Sequence, residues 1–186
     1  MMHTGGPEEI QGVRVKKLLN YIDERGVIKK ITPNSTFGDE PSTILISSNN
    51  VAGAIRGFHF QIQPFAEKKL ITCLRGSVFD AIIDLRVDSI TFMKIAVIEL
   101  SEENSLQLSL PIGIAHGFQS LSDNSVVHYC LTSEYSAPHA MVINPINEFK
   151  DLWPLTEKTL SKKDIAGLNL NEAVNKFTKS QLNKNL

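Results

Sequence analysis

The stretch Arg56-Gly57-Phe58-His59-Phe60-Gln61 sets a guanidinium and an imidazole three residues apart in an otherwise apolar, strand-like run, and Lys69 stands on the next such run. Histidine is the one side chain whose ordinary pKa lies between pH 5 and 8, so it can take and release protons near neutrality. Two cations beside it would hold an anion. A lone strand histidine is more often half-buried and hydrogen-bonded to a neighbour, so Arg56, Gly57 and Lys69 are what raise His59 above that default. A glycine inside a strand marks a bulge or a close approach of backbone or ligand. In a regular strand Arg56 and His59 differ in parity and point to opposite faces. One pocket can use both only where the strand bulges or twists, and Gly57 is where that irregularity is expected.

Leu110 to Phe118 contains a second constellation, Pro111, Gly113 and His116 in P-x-G-x-x-H spacing. It resembles the second motif of the cupin superfamily, in which a tight turn delivers a histidine into the mouth of a β-barrel. The first cupin motif has H-x-H followed by a glutamate, and these residues bind a metal together with the later histidine. Here that pattern gives His59, Phe60, Gln61, with Lys69 on the following run. A lysine is a poor ligand beside a dication and two histidines rarely hold a catalytic metal, so no metal is expected. Tyr129 alternates with Val127 and Leu131, and Tyr135 keeps that parity if the strand runs so far. Taken alone, Tyr129 reads as core packing with its hydroxyl bonded to a carbonyl, and Asp164 in "TLSKKD" as a solvated carboxylate. Cys73 and Cys130 lie in apolar runs without C-x-x-C spacing and read as buried thiols.

The elements that must position these residues are strands. From about residue 42 to 145 the chain is a series of short apolar or alternating runs separated by turn-like residues, the pattern of an all-β sandwich or barrel. Gly76, between "LITCLR" and "SVFDAIIDLR", looks like a hairpin turn, with "LRVDSITF" and "SEENS" as further connections. Leu168, Ala173, Val174, Phe177 and Leu182 among Asn and Lys suggest a C-terminal amphipathic helix. The 186 residues fit one domain, with a core over about 23–155 and a helical tail over about 157–186. Nineteen Lys and Arg against twenty Asp and Glu leave no overall field to recruit nucleic acid or an anionic membrane. No apolar run is long enough to span a bilayer and "MMHTGGPEEIQG" is not a secretory signal, so a cytoplasmic protein is expected.

Taken together, "RGFHFQ", "KLITCLRGSVFDAIIDLR", "LPIGIAHGF", "DNSVVHYCLTSEY", "DLWPL" and "LSKKD" resemble the dTDP-4-dehydrorhamnose 3,5-epimerase family, from about Asp23 to Asp164. The resemblance implies an all-β double-stranded β-helix (cupin or jelly-roll barrel) with short C-terminal helices. It also implies a cofactor-independent epimerase acting at C3, C5 or both of a nucleotide-linked 4-keto-6-deoxyhexose, dTDP-linked by analogy. His59 matches the family's base, Asp164 the carboxylate paired with it, Lys69 the cation that stabilises the enolate oxygen, and Tyr129 the acid on the opposite face. Arg25, Arg56 and His116 match positions that hold the substrate and its diphosphate. Tyr135 matches a second tyrosine of the pocket, Gln61 lines it, and Lys163 could approach the nucleotide. The resemblance further implies a homodimer, in which Arg25 could serve the neighbouring subunit's site. Four positions depart from the family pattern: Lys30 replaces a glutamate, Ile44 and Ile46 replace Gln and Asn, and Ala140 replaces a glutamate. They imply preserved proton chemistry on a different sugar nucleotide. A 4-keto-sugar isomerase of similar fold, a non-catalytic sugar-nucleotide binding module and a metal-dependent cupin oxygenase are the alternatives, and retention of Tyr129 and of the His59 and Asp164 pair favours the epimerase.

Overall fold

The structure, a computed structural model, describes residues 4–33, 38 and 41–182. Its strands are β1 (Thr4–Gly5), β2 (Arg14–Lys17), β3 (Leu19–Asp23), β4 (Gly26–Lys30), β5 (Thr43–Asn49), β6 (Ile55–Gln61), β7 (Lys69–Arg75), β8 (Ser77–Asp84), β9 (Ile95–Ser101), β10 (Leu106–Leu110), β11 (Ile114–Ser120), β12 (Ser125–Leu131) and β13 (Ala140–Val142). A six-stranded sheet runs β1-β9-β8-β11-β6-β13 and a five-stranded sheet β2-β10-β7-β12-β5, while β3 and β4 form a separate hairpin. The two larger sheets pack face to face as a jelly-roll sandwich. The C-terminal part adds helices α1 (Lys162–Ile165) and α2 (Leu170–Leu182). Among the described residues no helix is long and apolar enough to cross a membrane.

Every run from Thr43 to Val142 expected to be a strand is one, but Gly76 is not a hairpin turn. Strand β7 pairs with β10 and β12, and β8 with β9 and β11, so the chain at Gly76 passes from one sheet to the other. Its φ of +67° suits such a corner, where glycine alone carries no Cβ penalty. Strands also precede residue 23: β1 lies parallel to β9, and β2 pairs with β10. The sequence of β2, Arg-Val-Lys-Lys, conceals it, because lysine-rich strands are what protects a sheet edge.

The six-stranded sheet is covered on both faces. Toward the other sheet it buries Val78, Ile82, Ile114 and Phe118 against Ile71, Val127 and Tyr129. On its outer face Phe58, Phe60, Ala81 and Ile83 pack against Phe149, Trp153, Val174 and Phe177. Phe58 meets Phe149 edge-on at 5.1 Å between ring centres, and Phe60 meets Phe177 of α2 at 6.4 Å. Both β6 phenylalanines are thus anchored on the side away from the sandwich interior.

The irregularity expected at Gly57 is present. Between β6 and β11 the register shifts, with His116 opposite His59 but Phe118 opposite Arg56. The extra residue makes Ile55, Phe58 and Phe60 share the outer face while Arg56, His59 and Gln61 share the inner one. Only glycine fits there: φ is +124°, and a Cβ would lie 2.4 Å from the Gly117 Cα.

Candidate active site

His59 reaches the interior because of that bulge, and its partner comes from the far end of the chain. Strand β13 pairs with β6, placing Val142 opposite His59. Two residues on, Asn144 Nδ2 donates to the Ile165 carbonyl at 2.5 Å, which docks the single turn α1 beside β6. Ser161 caps that turn: its hydroxyl accepts from the Asp164 N–H at 3.1 Å and donates to Asp164 Oδ2 at 2.9 Å. The remaining oxygen, Oδ1, lies 2.8 Å from His59 Nε2. Asp164 is 4% exposed, far from the solvated carboxylate its lysine-rich neighbourhood suggests.

Burial pushes the His59 pKa below the ordinary value, with Asp164 opposing, so the ring is neutral at neutral pH. Burial also raises the Asp164 carboxyl, but the bond from His59, its charge and the Ser161 hydroxyl together hold it below the usual carboxylate range. A neutral ring that donates from Nε2 to a carboxylate carries its free lone pair on Nδ1. That is a general base with its tautomer fixed and its protonated form stabilised.

The opposite wall belongs to the five-stranded sheet. Tyr129 lies opposite Ile71 of β7, its side chain in the sandwich interior and its ring edge-on to His116 at 5.8 Å. Burial, reinforced by the Asp80 charge, lifts its phenol well above the ordinary range, so it is protonated at rest and stands as a proton donor. Lys69 is 6% exposed; its Nζ donates to the His59 carbonyl at 3.0 Å and lies 3.5 Å from Glu67 Oε1. His116 Nε2 sits 2.7 Å from Oδ2 of the fully buried Asp80.

These groups surround a cavity of about 650 Å³, also lined by Arg56, Gln61, Tyr135, Ala140 and Lys163. The volume is in the range of small-molecule sites. Arg56 is held by Asn49, whose Oδ1 accepts from Nε at 2.7 Å. Lys163 donates to the Tyr135 hydroxyl at 3.3 Å at the cavity mouth. Tyr135 is on a loop beyond the end of β12 and is exposed, so strand parity does not place it. Gln61 lines the cavity, but its amide is engaged by the protein: Nε2 donates to the Phe65 and Glu134 carbonyls and to Glu67 Oε2, and Oε1 accepts from the Ser136 N–H. Arg25 is not brought to this cavity. It sits at the tip of the β3–β4 hairpin, bonded to Asp23.

Of the departures from the family pattern, Ala140 and Ile46 border the cavity. Ile44 lies opposite Cys130, on the face turned away from Tyr129, and Lys30 lies on the hairpin opposite Leu19. Asp80, Glu67 and Asn49 were not singled out from the sequence. Asp80 carried a signal, since it shares parity with the buried Val78 and Ile82; Glu67 and Asn49 carried none. Among the described residues no cluster of His, Cys, Asp and Glu is arranged to hold a metal ion.

A sequence profile of the dTDP-4-dehydrorhamnose 3,5-epimerase family matches residues 7–172. A dTDP-4-dehydrorhamnose 3,5-epimerase from Sinorhizobium fredii is 36% identical over 171 residues, which are 84% of this chain and 82% of the relative. The crystal structure of the Bacillus anthracis dTDP-4-dehydrorhamnose 3,5-epimerase with TDP and PPi bound superposes with a TM-score of 0.78 at 34% identity, covering 85% of this chain and 94% of that one. The Legionella pneumophila dTDP-6-deoxy-D-glucose-3,5-epimerase, in complex with dTDP-4-keto-L-rhamnose, gives a TM-score of 0.78 at 32% identity, over 88% and 90% of the two chains. On the profile match and the Sinorhizobium relative, this chain belongs to the dTDP-4-dehydrorhamnose 3,5-epimerase family.

Proposed function

We propose that the chain is an epimerase of a dTDP-linked 4-keto-6-deoxyhexose, inverting the carbon next to the C4 ketone at C3, at C5 or at both. The observation that carries this reading is the pairing of a neutral, carboxylate-oriented His59 on one wall of the cavity with a Tyr129 that is protonated at rest on the other. His59 Nδ1 takes the proton from the carbon, and the electron pair of that bond moves into the ketone to give an enolate. The Lys69 ammonium stabilises the enolate oxygen, a contribution of roughly 3 to 4 kcal/mol for one well-placed donor. Tyr129 returns a proton from the opposite face, which inverts the centre. Arg56 and Lys163 supply cations for the diphosphate. The TDP bound in the Bacillus structure and the dTDP-4-keto-L-rhamnose bound in the Legionella structure support the dTDP group.

The active form on this reading is a homodimer. Leu19, Tyr21, Ile22, Val27 and Ile28 of the β3–β4 hairpin are all more than half exposed, and among the described residues the hairpin pairs with no other strand. A two-stranded ribbon alone is marginal in water. A partner subunit would cover these side chains and receive Arg25 near its cavity.

The test is incubation with a dTDP-linked 4-keto-6-deoxyhexose in deuterated water, followed by NMR. Deuterium at C3 or C5, inverted product and an unmoved carbonyl are expected, and His59→Ala abolishes exchange while nucleotide binding persists. Carbonyl migration would instead identify a ketoisomerase, and exchange that survives His59→Ala would remove His59 as the base.

A further inference from the structure

Glu67 is a cavity-lining acid to which the proton transfers above give no task. It precedes β7, its side chain is 7% exposed, and its Oε1 lies 3.5 Å from Lys69 Nζ. Its other oxygen accepts from Gln61 Nε2 at 3.0 Å. Gln61 is tied in turn to the Phe65 carbonyl at 3.1 Å, the Glu134 carbonyl at 3.0 Å and the Ser136 N–H at 2.8 Å. A buried carboxylate is costly unless paired and hydrogen-bonded, and this one is held on a strut that fixes it against the lysine.

We propose that Glu67 is the positioning residue of Lys69: clamped by Gln61, its carboxylate keeps the amine as an ammonium directed at the enolate oxygen and thereby sets the alkaline limit of turnover. This rests on the epimerase reading of the cavity. The charged and titratable groups around Lys69 are Arg56 and His59 on β6, Asp80 on β8, His116 on β11, Tyr129 on β12, Lys163 and Asp164 on α1, and Glu67 itself. Asp164 is committed to His59 and Asp80 to His116, which among the described residues leaves Glu67 as the carboxylate in ion-pair range of Nζ. Burial depresses the Lys69 pKa, and Glu67 followed by Asp80 opposes that depression. The sign follows: without Glu67 the amine loses its proton at lower pH, and a neutral amine cannot stabilise an enolate. The bond from Nζ to the His59 carbonyl at 3.0 Å ties the cation to the strand that carries the base.

The experiment measures exchange and turnover of a dTDP-linked 4-keto-6-deoxyhexose from pH 6 to 10 for the wild type, Glu67→Gln and Glu67→Asp, with the titration of isotopically labelled Lys69 followed by NMR in each. The expected result for Glu67→Gln is an alkaline limb of kcat lowered by about 1–3 pH units, the usual effect of one opposite charge at this range. The Lys69 titration shifts with it, activity below the limb stays within a few-fold of wild type, and KM there is unchanged. Glu67→Asp, which restores the charge, returns the limb toward the wild-type position. A limb and a lysine titration that do not move, or a loss uniform across pH, would overturn the proposal. If Glu67→Gln does not fold, the comparison of Glu67→Asp with wild type decides: the shorter acid must lower the limb and the titration together, and neither moving overturns the proposal. A wild type that exchanges no deuterium overturns the epimerase reading instead, and the Lys69 titration still reports whether Glu67 holds the proton on the amine.

Discussion

Replacing Asp164 by asparagine removes one charge from a pair whose geometry is otherwise preserved. The carboxylate lies 2.8 Å from His59 Nε2, and the two side chains are 43% and 6% exposed. An opposite charge at such a distance raises a histidine pKa by about 1–3 units, and partial exposure of the ring screens this toward roughly 1–2. Each unit corresponds to about 1.4 kcal/mol of base strength. If the proton is about half transferred in the transition state, half of that is felt, so loss of the charge alone slows proton abstraction by about 3- to 10-fold. Should the amide also turn the ring into the wrong tautomer, the loss approaches about 10⁴-fold, as in other His–Asp pairs. The pH profile separates this from general damage. Activity needs His59 neutral, so it is lost as pH falls through the His59 pKa. Asp164 raises that pKa, and its removal must move the acid limb to lower pH by about 1–2 units while the plateau falls. Rates of deuterium exchange from pH 4 to 8 read both quantities. An acid limb that stays in place or moves up, or a plateau at the wild-type rate, would refute the role assigned to the pair.

Tyr129→Phe deletes the donor and leaves the base, so NMR in deuterated water should show exchange at the acidic carbon with turnover to inverted product down about 10²- to 10⁴-fold; inversion at the wild-type rate would exclude Tyr129. Gly57→Ala puts a Cβ 2.4 Å from the Gly117 Cα at a φ of +124°; a cost of about 3 kcal/mol or more from strain and displacement lowers Tm by roughly 6–12 °C in a chain of this length. A variant melting with the wild type would mean that β6 does not bulge there. Ile22→Glu with Ile28→Glu puts a charge on each face of the exposed β3–β4 hairpin; sedimentation should then report a monomer in place of a dimer, and a dimer unaffected by the pair would move the interface elsewhere.

The strands from Thr43 onward were legible because their alternation reflects one buried and one covered or open face, and the conflict of parity between Arg56 and His59 marks the bulge in the sequence itself. What the sequence hid has physical reasons. Strand β2 reads as polar because it is an edge, and the corner at Gly76 looks like a hairpin because both flanking runs are strands, whichever sheet each joins. The burial of Asp164 depends on docking α1 against β6 through the Asn144 bond to Ile165 and on the bond to His59, 105 residues away, contacts that no local pattern records; the Ser161 cap alone is local. Only the family resemblance pointed to that residue. Glu67 is a surface-type residue in a lysine-rich run, and its side chain is held inside by the Gln61 strut and the Lys69 ion pair.

The two walls of the cavity differ in how they are supported. The wall that carries His59 and His116 has hydrophobic packing on both sides, its rear held by Phe58 and Phe60 on Trp153 and Phe177. The facing wall ends in β5, whose Ile44 and Ile46 are exposed, and in the loop bearing Tyr135. A redesign of substrate preference therefore has a natural starting place: randomising Thr43, Leu45 and Ile46 alters the shape of the chamber at positions with little packing to lose, whereas equal changes behind His59 would misalign the base before they altered what it accepts.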